Sequence, residues 1–71
     1  MTVTAKFLTK IRAAPDGRNP EIGRTRPGES YRIIARFMVE GDLWLLIRSA
    51  SWERMQAGWV RERVREVRTF L

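Results

Sequence analysis

The chain has 71 residues, with 14 Lys and Arg against 8 Asp and Glu for a net charge of +6, and it contains neither Cys nor His. So short a chain makes one domain at most, buries only about 60% of the surface its unfolded form exposes, and has no disulfide to help it. Without Cys and His it lacks the usual zinc ligands and the usual general base, and no apolar run approaches the ~18 residues of a membrane-spanning helix.

The first ten residues, MTVTAKFLTK, have no basic start followed by an apolar block and no small-residue cleavage site, so no signal peptide is expected. From Val3 to Ala13 the pattern alternates. Val3, Ala5, Phe7, Ile11 and Ala13 fall on one face, Thr2, Thr4, Lys6, Lys10 and Arg12 on the other, and Leu8 and Thr9 break the rhythm. Period two with one apolar face predicts a strand packed on one side. Residues 13–23, AAPDGRNPEIG, carry two prolines and two glycines without apolar rhythm and read as a long loop.

RPGE (26–29) is a turn signal, and the run SYRIIARFMV after it alternates again. Its pattern places Tyr31, Ile33, Ala35, Phe37 and Val39 on the core face and Arg32, Ile34, Arg36 and Met38 on the other. EGD (40–42) closes that strand, with Gly41 free to take the positive φ of a tight hairpin. In LWLLIRS the alternation puts Leu43, Leu45 and Ile47 inside and Trp44, Leu46 and Arg48 outside. SASWERMQ reads as a hairpin loop, and AGWV (57–60) starts another short strand. Val60, Val64, Val67 and Leu71 have helical spacing, but one turn of helix followed by a short strand fits as well. Four or five short strands in hairpin order, with no long helix, predict an all-β fold closed as a small antiparallel barrel.

Several stretches, in order and at matching separations, resemble bacterial SH3 domains (SH3b, or SH3 type 3). Ile11, Arg12 and Pro15 match that family's opening stretch. Pro20, Ile22 and Gly23 match its Pro-x-Ile-Gly-like step, and Gly28 its turn into the next strand. Trp44 and Ile47 in DLWLLIRS fall on the Trp and Val of its central strand, and Gly58, Trp59 and Val60 reproduce its closing Gly-Trp-Val. The resemblance spans about residues 3–68 of a single domain, 1–71. It implies a five-stranded SH3-like barrel in which residues 13–23 are a long RT-type loop beside a binding groove. It also implies a short 3₁₀ turn before the last strand, and so favours turn-plus-strand over the helical stripe.

The resemblance implies a non-catalytic binding module that takes a cell-wall peptide or a partner protein through the loop groove. It also suggests a cell-envelope or extracellular setting if the domain belongs to a longer secreted chain. The candidate ligand-binding residues are Asp16, Arg18 and Asn19 on the loop, Trp44 as a flat wall, and Arg61 opposite the loop. Because Trp44 alternates away from the aliphatic face, its replacement is expected to spare the fold. Trp59 reads as scaffold. Trp52 and Met55, in the hairpin loop, form a possible second contact patch or fold back on Leu46. Arg61 stands where eukaryotic SH3 domains supply a groove proline and Val64 near their groove tyrosine, which argues against a PxxP ligand. The eight carboxylates accompany no nucleophile, metal-ligand spacing or phosphate loop, so no enzyme, metal or cofactor is expected. Two alternatives remain: a small basic barrel that binds nucleic acid, and a structural domain packing on a neighbour in a longer chain.

Overall fold

The computed structural model describes residues 1–18, 20–51, 55–64 and 67–71. They form eight strands and no helix: β1 (Thr2–Thr4), β2 (Lys10–Arg12), β3 (Glu21–Arg24), β4 (Ser30–Val39), β5 (Asp42–Ser49), β6 (Gly58–Arg61), β7 (Arg63–Val64) and β8 (Val67–Arg68). Six make one antiparallel sheet in the order β1-β4-β5-β6-β2-β3, and β7 and β8 pair as a separate hairpin. The fold is all-β, as the alternating runs predict. Among the described residues the edge strands β1 and β3 do not pair, so the sheet is open in its hydrogen bonding.

The run expected as one strand over 3–13 is two short strands with a jog between them. Thr25, fully buried, holds the jog: its hydroxyl donates to the Phe7 carbonyl at 2.8 Å and accepts the Thr9 N–H at 2.9 Å. The jog lets the first arm pair with β4 and the second with β3 and β6. Phe7, placed by alternation on the core side, is exposed there. Residues 13–20 connect two strands that pair directly, Ile11 opposite Gly23 and Arg12 opposite Glu21, so the loop belongs to one domain and is not a linker.

Gly28 and Gly41 both have φ of 87°, the left-handed region that favours glycine at the turns into β4 and β5. Between those turns β4 has the expected bounds but not the expected faces. The register against β5 runs Tyr31 to Ser49, Arg32 to Arg48 and Ile33 to Ile47, then slips so that Ala35 stands opposite Leu46 and Phe37 opposite Trp44. Directly opposed residues share a face. Ile34 is the extra residue of a β-bulge, and a one-residue slip exchanges the two faces of everything beyond it. Tyr31 and Ile33 therefore point to the core, whereas Phe37 is 55% exposed on the opposite face.

The core is Ala5, Ile11, Tyr31, Leu45, Ile47, Val60 and Phe70, with Val3, Ile33, Leu43 and Met55 packed against it. Gly58 is required where β6 crosses β2, since a Cβ there would overlap Ile11 Cγ2 and stand 2.9 Å from Ile22 Cδ1. The C-terminal stripe is not core. Val64 and Val67 face each other across the β7–β8 hairpin, both exposed, and Leu71 is exposed as well. Among the described residues of this stretch there are strands and no helix or 3₁₀ turn. The tail's packing residue is instead Phe70, which bridges Ala5 and meets the Tyr31 ring edge-on at 6.4 Å.

Tyr31 is the only tyrosine and lies wholly inside. Its hydroxyl donates to Glu29 Oε2 and accepts the Arg26 N–H, both at 3.1 Å. Burial, which disfavours the phenolate, raises its pKa above the ordinary phenol value, against a lowering by the Arg26 N–H. A raised folded-state pKa contributes stability that is intact below the unfolded phenol's value and is lost as pH rises past it. We therefore expect the melting temperature to fall as pH rises above about 10, and the Tyr31→Phe variant to flatten that fall. An equal fall in both proteins would show that Tyr31 does not drive it.

Candidate functional site

The register of β4, β5, β6 and β2 sets out two rows of side chains on the face away from the core. One row runs Ala35, Leu46, Trp59, Arg12, and the next Phe37, Trp44, Arg61. The rings interlock: Phe37 and Trp59 meet edge-on with centroids 6.4 Å apart. The Arg61 guanidinium carbon sits 5.1 Å from the centre of the Trp44 ring, within cation–π range.

Beside this stack lies a groove of about 590 Å³ whose walls include Lys10, Arg12, Gly17, Trp44, Arg61 and Val64. Gly17 is where the 13–20 loop closes over the groove: a Cβ on it would be 3.2 Å from Arg61 Nη2, so the missing side chain lets the guanidinium lie against the loop. The loop is braced from within. Asp16 Oδ1 accepts the Arg18 N–H at 2.9 Å, and the Asp16 N–H donates to the Ala14 carbonyl at 2.8 Å.

Of the residues expected from sequence, Trp44 and Arg61 meet in this groove. The loop contributes Gly17, not Asp16 or Arg18. Asp16 is spent on the loop's own turn, Arg18 is exposed and outside the groove walls, and Asn19 lies outside the described residues. Trp44 does not face solvent. It is only 3% exposed, its ring covered by Arg61, so it is the floor of the groove and not an open wall. Lys10 and Arg12 were not among the candidate binding residues, and Val64 was placed only near a groove-tyrosine position. Lys10 and Arg12 did carry a signal, since alternation already placed both on the polar face of the first strand.

In the second patch Met55 packs on the core and its sulfur accepts the Ser49 N–H at 3.1 Å, while Trp52 lies outside the described residues. Met55 also borders a cavity of about 540 Å³ between Ile11, Ile22, Arg26 and Tyr31. Its one titratable hydroxyl, that of Tyr31, is buried and doubly hydrogen-bonded.

Known protein families, curated proteins and solved structures offer no match to this chain.

The chemistry of the groove is cationic. Lys10, Arg12 and Arg61 line the groove, and among the described residues no carboxylate is in its walls. A concave site with one sign of charge and an aromatic floor concentrates field and attracts anions. Glu21, paired opposite Arg12, is bonded by Arg24 Nε at 2.6 Å. The Arg24 hydrogen bond is the main cause of its lowered pKa, with Lys10 and Arg12 adding to it, so Glu21 stays ionised. Among the described residues no group of three or more acidic side chains is placed to hold a metal ion.

The burial of Trp44 reverses the expectation that its loss spares the fold. Truncating a buried Trp to Ala typically costs about 3–5 kcal/mol. That is most of the stability of a domain this small. Trp44→Ala is expected to leave the protein largely unfolded in urea titration. Arg61→Ala removes an exposed cation–π contact of about 0.5–1 kcal/mol and should keep the fold. Equal midpoints for the two variants would contradict this division of roles.

Proposed function

We propose that this chain is a non-catalytic binding module of the bacterial SH3 kind, which takes the carboxylate-bearing end of an extended peptide in the groove between the 13–20 loop and Arg61. A cell-wall peptide or the tail of a partner protein has this chemistry. The carrying observation is the arrangement of Arg61: stacked on Trp44, flanked by Gly17, and joined by Lys10 and Arg12, with no acid among the described residues that line the groove. A guanidinium held by stacking presents its donors already oriented, which lowers the ordering cost of gripping a planar carboxylate.

The SH3-like barrel is part of this proposal. It is supported by a bent ten-residue β4 shared between β1 and β5, by a long loop joining directly paired strands, and by the Ala5–Phe70 bridge that brings the two ends of the chain together. Nucleic acid is the second choice. The net charge of +6 and the aromatic rows favour it. Base stacking, however, needs an accessible ring face, and Arg61 occupies that of Trp44. Packing on a neighbouring domain of a longer chain remains the third.

The test is an amide-shift titration with short peptides ending in a free carboxylate, against the same peptides amidated, together with peptidoglycan stem fragments. Shifts should centre on Lys10, Arg12, Gly17 and Arg61. Arg61→Ala should weaken the acid form about tenfold, a charge-assisted hydrogen bond being worth about 1.5–3 kcal/mol. Equal binding of acid and amide forms, or shifts confined to other residues, would refute the groove assignment. Tight binding of single-stranded nucleic acid that survives about 0.2 M salt would promote the second choice.

A further inference from the structure

On its outer side β4 is covered only at its start. β1 pairs with Ser30–Arg32, and the Ile33 N–H reaches the Met1 carbonyl. Beyond that point, among the described residues, the outer edge of residues 34–39 has no backbone partner. Ile34, Phe37 and Met38 along it are all more than half exposed. An uncovered edge of this length is a template for another strand.

Charge and face pattern say which strand. After the bulge, Phe37 and Ala35 project to the aromatic face, while Arg36 and Met38 share the other face with Leu45 and Leu43. Arg36 forms no salt bridge among the described residues; its guanidinium lies 3.6 Å from the Met1 sulfur. A second copy of this chain is a poor complement, because each copy carries +6 and the edge residues 34–39 hold no acid to meet the other copy's Arg36. Of the acids next to this edge, Glu40 sits in the turn with φ of 49°, outside the strand, and Asp42 stands opposite Val39 at the start of β5. We propose that the β4 edge from Ile34 to Val39 takes an extended partner segment alternating apolar and acidic residues, its apolar side chains beside Phe37 and its acids beside Arg36. This site is distinct from the Arg61 groove and does not depend on the ligand proposed there.

The probe is a capped peptide alternating Val and Glu over about eight residues, an ordinary strand length, with a Val–Lys peptide as control. The amides of residues 34–39 should shift and exchange more slowly with solvent on adding the Val–Glu peptide. Gly17 and Arg61 should not respond, and Arg61→Ala should leave this binding unchanged. Arg36→Glu should weaken the Val–Glu peptide about fivefold and favour the Val–Lys peptide, since exposed charge pairs contribute modestly in either direction. Phe37→Ala should weaken both. Arg36 and Phe37 are exposed, and circular dichroism of each variant checks that the fold is retained. Shifts confined to the Gly17–Arg61 groove would overturn the proposal. So would equal binding of the two peptides, concentration-dependent dimerisation through the same amides, or an unresponsive edge at millimolar peptide. The last would show that the bulge and Arg36 serve only to keep the edge unpaired.

Discussion

One extra residue in β4 organises the molecule. At Ile34 the register against β5 slips, and the strand's two faces exchange roles. Before the slip, Tyr31 and Ile33 serve the core; after it, Ala35 and Phe37 lie on the opposite face beside Leu46, Trp44 and Trp59. Without the bulge, Phe37 would stand among the inward leucines, and the outer face would lose the ring that meets Trp59. A bulge also bends and twists its strand. β4 can thus run beside β1 at one end and leave an uncovered edge at the other.

The groove follows from the outer rows built on this register. Trp44 is buried without belonging to the aliphatic core, so a second, thinner apolar layer lies on the far side of the sheet with Arg61 as its lid. Stacking an arginine on tryptophan satisfies two demands. The ring is removed from water, and the charge stays at the surface where it can meet an anion. The 13–20 loop is held against this lid by the absence of a side chain at Gly17 and by the Asp16 turn, which fixes the loop from within. Fold stability and ligand chemistry therefore meet at Trp44 and separate at Arg61.

Much of the fold was legible in the sequence because period-two alternation and turn glycines are local signals. The bounds of β4, the inward set Leu45 and Ile47, and the positive φ at Gly41 all follow from them. What escaped was non-local or masked by composition. The bulge lies in Ile33-Ile34-Ala35, where every residue is apolar and no glycine marks the slip. Thr25 looks like an ordinary loop residue, yet it is buried because two carbonyls and an amide of the 7–9 jog converge on it. The valines at 60, 64 and 67 have helical spacing by coincidence. Only Val60 is buried, and the other two sit in a hairpin that alternation over so few residues cannot announce. At the site, Trp44 and Arg61 were legible as neighbours. The covering of one by the other was not, since it depends on the cross-strand register that places them opposite each other.

The face exchange in β4 is open to one direct observation, the nuclear Overhauser contacts of the Phe37 ring. Cross-peaks from Phe37 to the Trp59 and Trp44 rings are expected, together with none to the inward methyl groups of Leu43 and Leu45. Strong cross-peaks from Phe37 to Leu43 and Leu45, with Trp59 silent, would mean an unbroken register with Phe37 in the core. That result would contradict both the outer aromatic rows and the pattern assigned to the β4 edge.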